Sequence, residues 1–127
     1  DDIEKELGIE PITFMYKPEG FIYSDYALDS DSKNAQIFYE YRNQVITVHM
    51  CKVRDNINKT RKIDGTASIV MTTEIAAINE EVDIWRIESP IQKDYYETSF
   101  VLDDNYYTVW GRMNREDFVE IIKNVSN

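Results

Sequence analysis

Near the end of the chain the apolar residues Phe118, Ile121, Ile122 and Val125 stand at i, i+3, i+4 and i+7. That spacing puts four side chains on one stripe of an α-helix. Arg115, Glu116, Glu120 and Lys123 fill the other side. Asn114 sits where an N-cap belongs, with Asp117 three residues on. Burying the four apolar side chains contributes about 1.5–3 kcal/mol each, before opposing terms. Such a stripe must lie on an apolar surface. The rest of the sequence offers only extended segments to supply one.

Those segments follow one another along the chain. Ile12, Phe14 and Tyr16 alternate with Thr13, Met15 and Lys17, a period of two. The spans 12–17 and 21–28 read as strands joined tightly through Pro18-Glu19-Gly20. The polar run Asp29-Ser30-Asp31-Ser32-Lys33-Asn34 reads as a loop. Residues 36–41 and 45–53 read as a hairpin around Arg42-Asn43-Gln44. A mostly polar connection covers 55–65. Residues 68–71 read as a strand, 74–78 as strand or helix, and 82–87 as a strand, with Pro90 breaking the pattern. Residues 95–102 and 106–112 form the clearest hairpin, because Asp103-Asp104-Asn105 tolerates left-handed turn conformations. At the start, Asp2 can cap a short helix with Ile3 and Leu7 on one face and Gly8 ending it.

The expected fold is therefore α+β: a single antiparallel sheet of about six to eight strands, packed by a C-terminal amphipathic helix, with a short N-terminal helix. With 127 residues, three Pro, four Gly and no repeat, residues 1–127 read as one domain. That length can bury a core without a disulfide or a metal.

Charge narrows the partners. The 24 acidic and 14 basic residues leave a net charge of -10, which repels phosphate backbones and anionic headgroups. Nucleic acid is not an expected partner. The densest basic stretch, Lys52, Arg54, Lys59, Arg61 and Lys62, is diluted by Asp55 and Asp64 and has no aromatic residue to stack on bases. No run of about 18 apolar residues exists, so this segment does not insert in a membrane by itself. The chain opens on Asp1 rather than Met, which reads as a piece of something longer.

No motif points to catalysis, a metal or a cofactor. His49 shares a strand face with Cys51, the sole cysteine. A thiol–imidazole pair also needs an oxyanion site and an orienting group, and neither is visible. Structural zinc wants four Cys or His ligands, and the chain has two in total. Asp29-Ser30-Asp31-Ser32-Lys33 opens like a calcium loop, but Lys33 puts a cation where a ligand belongs and Asn34 replaces the turn glycine. Glu80-Glu81 and Asp103-Asp104 are neighbours at turns, not carboxylates facing across a cleft. The aromatic residues are the remaining signal. Tyr39, Tyr41, Trp85, Tyr96, Tyr107 and Trp110 fall in expected strands. Consecutive aromatics face opposite sides, so some can be presented to a partner. These six form the candidate contact surface.

Trp85-Arg86-Ile87, then Tyr106-Tyr107-Thr108-Val109-Trp110-Gly111-Arg112, then Asn114-Arg115-Glu116-Asp117-Phe118 leading into Ile121-Ile122, resembles a bacterial domain family of unknown function. Leu7-Gly8-Ile9-Glu10-Pro11 and Tyr16-Lys17-Pro18-Glu19-Gly20-Phe21 are similar to its opening strand and turn. The resemblance covers most of the chain and covers 55–78 less well. It implies the extracytoplasmic C-terminal part of a membrane-anchored protein, in some cases an anti-sigma factor, held by a segment absent from this chain. It implies no catalytic residue and no cofactor. The resulting expectation is a non-enzymatic binding or sensory ectodomain, meeting a protein or a cell-envelope ligand. Two alternatives stand beside it. One is a carrier-like domain holding a small apolar or aromatic ligand between sheet and helix. The other is a hydrolase-like enzyme using His49.

Overall fold

The computed structural model describes residues 2–58, 65–91 and 93–126. The elements run α1 (Asp2–Leu7), β1 (Thr13–Phe14), β2 (Ile22–Asp29), β3 (Asn34–Tyr41), β4 (Gln44–Lys52), β5 (Thr66–Ile75), β6 (Glu80–Glu88), β7 (Tyr95–Leu102), β8 (Asn105–Gly111), α2 (Arg115–Lys123) and β9 (Val125–Ser126). Short 3-10 helices occupy Val53–Asn58 and Ala76–Ile78. Strands β2 to β8 form a seven-stranded sheet in the order β2-β3-β4-β8-β7-β6-β5, antiparallel throughout. This is the α+β architecture expected.

Turn chemistry sets the hairpins. Arg42 and Asn43 have φ of 48° and 66°, and Asp103 and Asp104 have 52° and 64°. Two consecutive left-handed residues match the twist of the flanking strands. Each turn is thus two residues long, and β4 and β8 start one residue earlier than expected. The Asp29 carboxylate accepts from the backbone N–H groups of Asp31 and Ser32, both at 3.1 Å. It is spent on shaping the β2–β3 turn. Residues 66–75 form one long strand rather than the short one expected, and Asn79 (φ 53°) reverses the chain into β6. Both edge strands are irregular: the register slips between Tyr23 and Asp25 in β2 and between Ile69 and Met71 in β5. Bulged edges resist pairing with another chain. Of the basic stretch, Lys59, Arg61 and Lys62 lie outside the described residues, and the Lys52 ammonium donates to Gly8 O.

One expectation is corrected. Residues 12–17 and 21–28 do not form a hairpin. Phe21 N–H does close a turn onto Pro18 O. The extended part before it is only Thr13–Phe14, and it pairs with Val125–Ser126 at the other end of the chain. Met15 N–H donates to Asn124 O beside that pair. Pairing with β9 satisfies the backbone of the opening segment and leaves β2 free on its outer edge.

Alternation sorts the sheet into two faces. On one, Ile46, Val48 and Met50 of β4 stand beside Tyr107 and Val109 of β8, all exposed by 1% or less. Ile84 of β6 and Ile75 of β5 lie on the same side, both at 0%. Both α-helices cover this face. From α2 come Phe118, Ile121 and Ile122, all at 0%, and Val125 follows at 0% from β9. Asn114 caps the helix, its Oδ1 accepting from Asp117 N–H at 2.8 Å. That bond is worth about 1 kcal/mol. From the N-terminal segment come Ile3, Ile9 and Ile12, all buried. The opposite face carries neither α-helix.

Tyr107, Tyr41 and Tyr39 in and around this core titrate above their ordinary value of 10.0. Burial raises Tyr107 and Tyr39, because an apolar setting disfavours phenolate. The unfolded chain gives up these protons first as pH rises, so the folded state binds more protons and stability falls with pH above about 10. Tyr107→Phe will make that alkaline decline shallower. It will also lower stability near neutrality by about 0.5–1.5 kcal/mol, because the Tyr107 hydroxyl donates to Glu10 O. Thermal melts taken across the alkaline range check both parts. An unchanged alkaline slope contradicts the assignment.

Candidate functional site

The six aromatic residues divide by strand parity. Tyr107 (1% exposed) and Tyr41 (3%) are core residues, which corrects their place in a contact surface: a ring with no exposed area cannot meet a partner. The Tyr41 hydroxyl donates to Asp117 Oδ2 and accepts from Asn114 Nδ2 at 3.2 Å. It thereby holds the first turn of α2 to the end of β3. Tyr39 is half-buried in an aromatic cluster, stacked on Phe21 (4.8 Å) and edge-on to Phe14 (5.2 Å). It fastens the opening segment to the sheet. Tyr96, also half-buried, meets the Phe118 ring at 5.7 Å. All four lie on the helix-covered face.

Trp85 and Trp110 lie on the other face, each half-buried. In register, Trp110 is opposite Glu97 and Glu97 is opposite Trp85. The two indoles therefore flank one carboxylate, two strand spacings (about 10 Å) apart. The row continues through Thr47 to Phe38 on one side and to Ile69 on the other. Sequence reasoning missed Phe38 and Ile69. Their parity relative to the tryptophans is set by strand pairing, which no local pattern discloses.

Next to Trp110, at the β3–β4 turn, the face opens into a cleft of about 400 Å³ lined by Asn43, Gln44, Thr47, Tyr95, Trp110 and Arg112. Arg112 Nη1 donates to Gln44 Oε1 at 3.3 Å. Among the described residues Arg112 has no carboxylate partner, whereas Arg86 is paired with Asp94. A second cleft of about 390 Å³ lies beneath α1, lined by Asp2, Ile3, Tyr23, Tyr26 and Ile37.

His49 is half-buried on the helix-free face, with Cys51 fully buried two residues along. Its register partners are Gln36 and Thr108, neither of them an acid. Among the described residues no group of three or more His, Cys, Asp or Glu is placed to hold a metal ion. No helix among them is long and apolar enough to cross a membrane.

The fold positions one aromatic row and one mixed cleft on the sheet face that neither α-helix covers, where Cys51, Ile87 and Tyr95 are themselves buried. A family described as Domain of unknown function (DUF4367) matches residues 11–125. The chain belongs to that family. The DUF4367 span begins just before β1 and ends in β9, so the two-stranded ribbon marks its limits and α1 lies outside it. It includes both tryptophans and the whole lining of the Arg112 cleft. No curated protein and no solved structure matches the chain.

Proposed function

We propose that this DUF4367 domain is a non-enzymatic binding or sensory module. On this reading a membrane-anchored bacterial protein carries it on the outer side of the cytoplasmic membrane, and its contact surface is the helix-free sheet face. The observation that carries the reading is the row containing Trp85 and Trp110, left half-exposed on the face that neither α-helix covers. Rings with a polar tip and a large apolar body are the residues on which binding surfaces concentrate their energy. The sequence resemblance supports the outward location. The net charge of -10 favours a protein or a cell-envelope ligand over nucleic acid. In parents that are anti-sigma factors, the module would be the sensing end.

The double variant Trp85→Ala/Trp110→Ala tests it. Recovery of the bound partner from cell-envelope extracts will fall at least about tenfold, the loss expected from hot-spot rings. Circular dichroism will show the sheet intact, because neither ring belongs to the buried cluster. Undiminished recovery by a folded variant removes this face as the contact surface.

One feature favours a second reading, the carrier-like domain. The cleft beneath α1 is walled by Ile3, Tyr23, Tyr26 and Ile37, a setting for a small apolar ligand.

A further inference from the structure

The cleft beside Trp110 points to a ligand class, and we propose that it is a saccharide subsite for a sugar bearing a carboxylate. The inference rests on reading the helix-free face as the contact surface, and it names what that face takes.

Three properties of the lining converge. Trp110 offers a flat apolar wall, half-exposed, on which the C–H face of a sugar ring can lie and shed water. Asn43, Gln44 and Thr47 surround it with amide and hydroxyl groups. Each of these both donates and accepts, which is what a ring of hydroxyls requires. Arg112 supplies the charge. Its guanidinium has five N–H donors, and among the described residues one of them donates to Gln44 Oε1. Acidic residues outnumber basic ones 24 to 14, yet Arg112 has no carboxylate partner among the described residues. A fork of this kind matches a carboxylate in two-point geometry. The strongly negative chain around it disfavours a polyanion and admits a single acid group.

The floor of the cleft argues against an extended peptide. Thr47 belongs to β4, Trp110 to β8 and Tyr95 to β7, all interior strands of the sheet. Thr47 and Trp110 are paired with strands on both sides, so their backbone offers no edge for an added strand. Recognition must come from side chains, and the side chains present are a ring, amides, a hydroxyl and one cation. The volume of about 400 Å³ falls within the usual range of small-molecule sites.

The test uses the whole chain and three probes followed by isothermal titration calorimetry and tryptophan fluorescence. The probes are a galactose trimer in which one unit is replaced by galacturonic acid (the uronate trimer), the neutral galactose trimer and a short peptide with a free C-terminal carboxylate. The uronate trimer should bind and change the indole emission. Arg112→Gln, which keeps a polar side chain but removes the charge, should weaken uronate binding about tenfold and bring it to the level of the neutral trimer. Trp110→Ala should abolish binding of both sugars while the far-ultraviolet spectrum stays unchanged. Equal binding of neutral and acidic trimers, or an Arg112→Gln variant with unaltered affinity, overturns the carboxylate assignment. Peptide binding without sugar binding overturns the ligand class. If no sugar binds but the double tryptophan variant still loses its envelope partner, the saccharide inference fails and the contact-surface reading survives. If the uronate binds normally to that double variant, the saccharide inference fails, and if that variant also recovers its envelope partner undiminished, both fail.

Discussion

Phe118→Ala will destabilise the fold by about 3–5 kcal/mol. The ring is 0% exposed and meets the Tyr96 ring at 5.7 Å. Ile121 and Ile122 are buried beside it on the same helix. Removing the ring leaves a cavity that the cap and the neighbouring strands prevent from collapsing. Domains of this size have about 5–15 kcal/mol in total, so the variant will sit near the edge of folding. Urea titration is the check. The midpoint should fall sharply while the slope with denaturant stays the same, since the surface exposed on unfolding barely changes. Phe118→Leu should recover more than half of the loss, because it refills most of the volume. A loss under about 1 kcal/mol for the alanine variant would mean that α2 is not seated on the sheet as described.

Gly111→Ala is expected to rank second. A Cβ built there would stand 2.4 Å from Ile46 Cδ1, 2.9 Å from Val45 O and 3.0 Å from Ile46 Cα. The first of these atoms ends a flexible side chain and can turn away. The other two are main chain of the adjacent strand β4 and cannot. The strands must separate locally, at a cost of about 1–3 kcal/mol. Pairing Gly111→Ala with Ile46→Val removes the nearest methyl but not the backbone contacts. The double variant should therefore regain about 0.5–1 kcal/mol relative to additivity. Full recovery would place the whole conflict in the side chain, and no recovery would place it all in the main chain. Gly111 also lines the Arg112 cleft, so the single variant should weaken any ligand held there as the strands move.

The local devices were legible in the sequence. The stripe of Phe118, Ile121, Ile122 and Val125 pointed to a helix on a sheet, and all four residues are buried. Val125 belongs to β9 rather than to the helix. The Asp103-Asp104 and Arg42-Asn43 turns marked two hairpins, because residues that accept positive φ are few and sat between alternating runs. Long-range pairing was not legible. Nothing near Thr13 indicates that its partner is Ser126.

The candidate site suffered from the same limit. In β8 one parity carries Tyr107 and Val109 and the other carries Tyr106, Thr108 and Trp110. Both sets mix ring and small side chains, so neither announces itself as the buried one. In β4 the sets differ plainly, with Ile46, Val48 and Met50 against Thr47, His49 and Cys51. Only the pairing of β4 with β8 transfers that decision to the aromatics. That is why the strand pattern alone groups Tyr107 and Tyr41 with Trp110. Arg112 gave no signal at all. A lone arginine acquires meaning only once it is seen to lack an acid beside it.

The ribbon that joins Thr13–Phe14 to Val125–Ser126 has a consequence for synthesis. Within the domain, its two halves are among the first and the last residues to leave the ribosome. Until the second half emerges, the hairpins can assemble, but Ile46, Val48, Met50 and Tyr107 lack the C-terminal part of their cover. The nascent domain thus carries a sticky apolar plane until its last strand emerges, and closure is a late, long-range event. A truncation that stops before Phe118 should yield a species that binds hydrophobic dye and associates with chaperones.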